Sequence, residues 1–105
     1  GKLPCSEMMF CAILSNVLEN AMHAVQQLPE KERRIQLMLS ETAGHLLLME
    51  KNPVQEPPVF TDGIPVTERS GHGLGVRSIV YYVESLHGQY QFFMENEEFV
   101  VRIIL

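Results

Sequence analysis

The sequence predicts an α+β fold, a two-layer sandwich with a mostly antiparallel sheet and helices packed on one face. Three observations point to it. Two segments repeat apolar residues at spacings of three and four. Two others alternate apolar and polar residues around turn signals, and the order along the chain is helix, hairpin, loop, helix, hairpin. With 105 residues, a chain buries roughly 60–70% of its unfolded surface, enough for one core but not two. Residues 1–105 therefore read as a single domain.

The first helix is expected from Ser6 to Leu28. Phe10, Ile13, Leu14, Val17, Leu18, Ala21, Met22, Val25 and Leu28 form its core-facing stripe. Ser6 is a suitable N-cap, Glu7 favours the first turn, and Pro29 marks the end. Ile35, Leu37 and Leu39 alternate with polar neighbours as a strand, and Glu41-Thr42-Ala43-Gly44 offers a turn into a second strand, His45 to Lys51. The run Leu46-Leu47-Leu48-Met49 suggests burial of that strand on both sides.

Between Asn52 and Gly71 lie eighteen residues with four of the six prolines. That density argues against helix and strand alike, and a loop this long in a compact domain suits a functional lid. A second amphipathic helix starts near Gly73 and carries Leu74, Ile79, Val80, Val83 and Leu86. His87-Gly88 reads as its C-terminal signal. Tyr90 to Met94 and Phe99 to Leu105 form the last hairpin, around Glu95-Asn96-Glu97-Glu98.

Composition excludes several functions. Thirteen acids against eight bases give a net charge of −5, which would repel nucleic acid. No uninterrupted apolar run approaches the roughly 20 residues of a membrane helix, and Gly1 to Pro4 does not resemble a secretory leader. Cys5 and Cys11 lie six apart, a poor spacing for a metal or redox pair, and the four histidines are scattered. Separate reduced thiols are expected.

Two features could carry chemistry. Asn16 and Asn20, four apart on the first helix, emerge on one face, with the small Ala24 one turn further. An amide oxygen is a hard, neutral ligand suited to magnesium. A pair of solvated surface asparagines would give the same pattern. The second feature is Ser70-Gly71-His72-Gly73-Leu74-Gly75, whose glycines let main-chain amides approach a ligand at a helix start. Arg69 and Arg77 flank it. The segment lacks the GxxxxGK(S/T) ending of a phosphate loop. It also lacks the strand that leads into a dinucleotide fingerprint, although Glu95 lies where a ribose-binding acid would stand.

Together the two features are more specific than either alone. Ser15 to Ala24 resembles the N box of the GHKL ATP-binding superfamily, and Gly71-His72-Gly73-Leu74-Gly75 resembles its second glycine box. The stretch from the first hairpin through Met49-Glu50-Lys51-Asn52-Pro53 to the end resembles the catalytic and ATP-binding domain of bacterial sensor histidine kinases. Within these it is most similar to the kinases that sense peptide pheromones. The resemblance covers nearly the whole chain, in the right order.

The resemblance implies ATP and Mg2+ as ligands, with Asn20 as the magnesium ligand and Asn16 beside the phosphates. Hydrolytic members carry a glutamate base at that position; here no residue acts as general base, and Glu19 is expected to point elsewhere. Gly71, Gly73, Leu74, Gly75, Arg69 and Arg77 would contact ATP. The first glycine box lacks its glycines. Asn52 takes the place of the adenine-binding aspartate, with Asp62 as a rival candidate, and strand context favours Asn52. Residues 53–70 would be the lid. His23 and His72 are expected to be bystanders.

The implied activity is γ-phosphate transfer to a histidine in an upstream dimerisation domain, with a response regulator downstream. These 105 residues are then not expected to autophosphorylate alone. The implied setting is the cytoplasmic domain of a membrane-anchored receptor, homodimeric at full length. The alternative is a non-catalytic nucleotide-sensing module controlling a partner protein. A serine kinase is a third, weaker option.

Overall fold

The computed structural model describes residues 6–66 and 74–105. Helix α1 spans Glu7–Gln26. The Ser6 hydroxyl caps it by accepting a hydrogen bond from the Met9 N–H at 3.1 Å, and Glu7 places its carboxylate at the positive end of the helix. Ile13, Val17, Ala21 and Val25 are the buried stripe. The helix stops short of Leu28, where Arg33 Nε donates to the Leu28 carbonyl at 2.9 Å and fastens the exit. By length and apolar composition alone α1 also satisfies the requirements of a membrane crossing, although no uninterrupted apolar run within it is that long. Its stripe nevertheless faces the core of this fold.

A short 3-10 turn at Glu30–Glu32 leads to strands β1 (Gln36–Thr42) and β2 (His45–Pro53). Their turn places Ala43 and Gly44 at φ 52° and 81°, which matches the right-handed twist of a tight hairpin. Strands β3 (Val59–Thr61) and β4 (Ile64–Val66) form a separate two-stranded ribbon. Helix α2 (Leu74–Ser85) and strands β5 (Gln89–Glu95) and β6 (Glu98–Ile104) complete the order.

The four-stranded sheet runs β1-β2-β6-β5 with every neighbouring pair antiparallel. Leu48 faces Ile103, Glu50 faces Val101 and Asn52 faces Phe99 across the β2–β6 pair. Side chains alternate along a strand, so these six share one face of the sheet. Ile13 and Val17 from α1, and Val76, Ile79 and Val83 from α2, pack against it as the core. Truncating a fully buried member such as Ile79 to alanine should cost about 2–5 kcal/mol. The predicted α+β sandwich, antiparallel sheet with helices on one face, is the fold observed.

Three expectations need correction. The proline-rich segment is not a plain loop: β2 continues through Asn52 into Pro53, and β3–β4 follow with Asp62-Gly63 as the turn, at φ 53° and 77°. An Asp-Gly pair is a strong hairpin signal, and a ribbon tolerates Pro65, since an outer edge needs no N–H. The apolar centre of β2 is not buried on both sides. Leu48 is fully buried while Leu47 and Met49 on the other face are only half-buried, because the helices cover one face. Lastly, the left-handed residue that ends α2 is His87 (φ 58°) rather than Gly88. The Gly88 N–H reaches the Val83 carbonyl and the His87 N–H that of Glu84, at 2.9 and 3.0 Å. Gly88 is needed for a different reason: a Cβ there would stand 2.6 Å from the Ile104 carbonyl oxygen on β6.

Candidate functional site

The helical phase of α1 turns Asn16 and Asn20 away from the fully buried stripe, and both are half-buried. The Asn16 amide nitrogen donates to the Ala12 carbonyl at 2.8 Å, so the side chain folds back on its own helix. Gly75, in the first turn of α2, packs directly on this strip. A Cβ placed on it would lie 3.8 Å from the Asn16 carbonyl oxygen and 4.0 Å from the Asn20 Cβ. The two features singled out from the sequence therefore adjoin in space, through Asn16, Asn20 and Gly75.

Beside this junction lies an open cleft of about 450 Å³. Asn20, His23, Ala24 and Gln27 form its α1 wall, and Val76 and Phe99 come from α2 and β6. The segment after β2, from Val54 to Val59, and Pro65 and Val66 of β4 form the opposing wall. Its lining mixes apolar side chains with the amides of Asn20, Gln27 and Gln55, the general character of a small-molecule site. Glu56 is its one acidic lining residue among those described, and no lysine or arginine lines it among them.

Asn52 sits behind this cleft. It is fully buried on β2, two residues before Val54 and directly across from Phe99, both of which line the cavity. Its amide nitrogen donates to the Pro53 carbonyl at 3.0 Å, and its oxygen is buried with no partner. A buried acceptor left unmatched costs about 1–3 kcal/mol, so an amino group delivered by a ligand would relieve a standing penalty. Asp62 is exposed at the tip of the β3–β4 turn, far from such a role.

Not every candidate gathers here. Arg77 is exposed and does not line the cleft. It lies two residues from Gly75, about 200° around the helix, so when Gly75 faces α1 the Arg77 side chain leaves from the opposite side. Arg69, Gly71 and Gly73 lie outside the described residues, as does His72, and Leu74 is the residue that opens α2. Glu19 is exposed and absent from the cleft lining, as its position on the helix suggested. Cys11 is exposed and free, and no cluster of three or more metal-binding side chains occurs among the described residues.

Glu50 was missed. It is fully buried on the same face of β2 as Asn52, and neither carboxyl oxygen has a partner. Burial, then the like charge of Glu98, pushes this carboxyl up to about 8. The alternation Leu48, Glu50, Asn52 carries the signal: Glu50 lies inside the expected strand, His45 to Lys51, on the same face as the buried Leu48.

A family model described as a GHKL domain matches residues 6–105. The chain belongs to the GHKL family. Among solved structures, this GHKL domain is similar to the Erythrobacter litoralis EL346 blue-light activated histidine kinase, with 21% identity and a TM-score of 0.66, over 89% of this chain and 28% of that one. It is also similar to the histidine kinase domain of the same protein, with 20% identity and a TM-score of 0.69, over 92% of this chain and 45% of that one. At that identity the likeness is one of fold. The GHKL domain thus spans less than half the length of either structure. No curated protein matches it. The two segments whose sequences resemble GHKL boxes meet where Gly75, in the first turn of α2, lies beside Asn16 and Asn20 of α1.

Proposed function

We propose that this domain binds Mg-ATP in the cleft beside α1 and donates the γ-phosphate to a histidine on a dimerisation domain of the same protein. The observation that carries the reading is the shared wall: Asn20 lines the cavity and lies against the first turn of α2. The residues present fit the ligand. Asn20 would supply a neutral oxygen for magnesium, the first turn of α2 would offer its positive end to phosphate, and the unpaired Asn52 oxygen, next to the lining residues Val54 and Phe99, would accept from an amino group.

Catalysis on this plan is positioning and charge neutralisation. Magnesium, when bound, would offset the negative charge of the phosphates. The chain itself holds the base between Val76, Phe99 and the proline-rich wall, and orients the phosphates along the asparagine strip towards α2. Asn16 stands where a hydrolytic relative would carry a base, and an amide cannot take a proton. That favours transfer to an imidazole over transfer to water: the bond from γ-phosphorus to the bridging oxygen breaks, ADP leaves, and a phosphorus–nitrogen bond forms.

The resemblance around Met49 to Pro53 supports placing the domain at the cytoplasmic end of a membrane-anchored receptor of the peptide-sensing type. In that setting it would act as a homodimer and pass phosphate to a response regulator. A second reading, a nucleotide sensor without transfer, is favoured by one feature. Strand β2 runs straight through Asn52 into Pro53, paired with Glu98, where the first glycine box would turn. Supplying the helical dimerisation domain in trans with labelled ATP separates the two. Acid-labile label on its histidine supports the kinase; tight nucleotide binding with no label supports the sensor.

A further inference from the structure

Three buried oxygen atoms on the helix-covered face of β2 have no hydrogen-bond partner: both carboxyl oxygens of Glu50 and the amide oxygen of Asn52. The other buried side-chain atoms without a hydrogen bond among the described residues belong to Glu98, whose oxygen is ion-paired with Arg34 at 3.6 Å, and to Arg102; both alternate with Phe99 and Val101 and so project from the opposite face. The unmet polar groups under the helices are therefore confined to two alternate positions of one strand. Two residues along a strand rise about 6.5–7 Å, within reach of a glutamate side chain extended towards its neighbour.

Nothing about the fold calls for a carboxyl at this place. Glu50 stands opposite Val101, between Leu48 and Asn52, in a layer otherwise filled by Ile, Val and Phe. An apolar residue of similar volume would avoid the desolvation cost entirely. A buried unpaired group of this kind marks a water, an ion or a ligand contact. The position, one step further in from the residue that backs the cleft, points to the last of these.

We propose that Glu50 donates a hydrogen bond to the ring nitrogen N1 of adenine while Asn52 accepts one from the adjacent amino group. This deepens the ATP reading and rests on it. A neutral carboxylic acid carries one donor and an amide oxygen carries acceptor capacity, which is the complement of that edge of adenine. An ionised carboxylate would offer acceptors only. The raised carboxyl described above keeps the donor in place at neutral pH. Guanine presents the reverse pattern, a ring N–H and a carbonyl oxygen, and would set its carbonyl oxygen against the Asn52 oxygen.

Calorimetric titration with ATP and with the analogue carrying a C–H in place of N1 tests this directly. The wild-type domain should bind the analogue about tenfold more weakly, the loss expected for one hydrogen bond at a buried site. Glu50→Leu should bind both ligands alike, whereas Glu50→Gln, whose amide still donates, should keep the discrimination. Thermal melts of both variants confirm that the fold is retained, a control that a purely structural role would fail to separate from the binding pattern. Discrimination that persists undiminished in Glu50→Leu overturns the assignment, as does equal binding of both ligands by the wild type. Either result leaves the ATP reading standing. Absence of all nucleotide binding by the wild type overturns that reading, and this one with it.

Discussion

A Cβ placed on Gly75 would stand 4.0 Å from the Cβ of Asn20, so α2 begins in van der Waals contact with the asparagine strip of α1. The two sequence features that carry the functional reading thus meet at one rim of the cleft, although 55 positions separate them in the chain. At this distance a methyl group fits and a branched side chain does not.

Gly75→Ala should therefore leave stability within about 1 kcal/mol of the wild type, since the gain in helix propensity offsets a contact that is already ordinary. Gly75→Leu should push α2 off α1 and weaken ATP binding at least tenfold. Denaturant melts and a nucleotide titration on both variants check the pair. Equal binding by the leucine variant would place the ligand elsewhere.

Asn52→Ala should weaken ATP binding by about 1–3 kcal/mol, because the ligand's amino group loses a buried acceptor. Asp62→Ala, at the exposed tip of the β3–β4 turn, should change nothing. The reverse pattern in a competition titration would restore Asp62 as the adenine-recognising residue.

Much of the fold was legible in the sequence because periodicity reports burial. The stripes of α1 and α2 each encode one buried face, the Ser6 cap announced the start of α1, and the turn Glu95-Asn96-Glu97-Glu98 placed the last hairpin. The β3–β4 ribbon was hidden because proline density was weighted above the Asp62-Gly63 turn, yet a two-stranded edge does not need every N–H. For the site, the Asn16–Asn20 spacing fixed a shared helix face, but no local pattern could say that Gly75 would land on it. Glu50 escaped for the opposite reason. A single charged residue in a strand gives no sign of which neighbours it meets, and only the pairing with Val101 shows it to be interior.

Glu50 should make the domain less stable as pH rises. Its carboxyl is raised in the folded state to about 8 from 4.5, so the folded form retains a proton that the unfolded chain releases. The sign follows: this group's contribution is fully present below pH 4.5, declines through the interval up to about 8, and is flat above it. The slope is at most about 1.4 kcal/mol per pH unit. Urea melts at pH 5 and pH 8.5 should show wild-type stability falling over that range and Glu50→Leu holding level, more stable than wild type at the upper end. A wild-type profile no steeper than that of the variant would show that the carboxyl is not held protonated.

Gly88→Ala should be destabilising by about 1–3 kcal/mol, since the added methyl meets the Ile104 carbonyl oxygen at 2.6 Å. The atom it meets is a backbone oxygen, not the end of a flexible side chain that could give way. A thermal shift of several degrees downward is expected. An unchanged melt would mean that α2 and β6 can separate at no cost.

The most direct measurement is a titration of the domain with a fluorescent ATP analogue, with and without magnesium, alongside Asn20→Ala. The wild type should bind more tightly when magnesium is present, and Asn20→Ala should lose that enhancement while melting like the wild type. Binding that ignores magnesium, or an alanine variant that keeps the full enhancement, would contradict the assignment of Asn20 and of the cleft it lines.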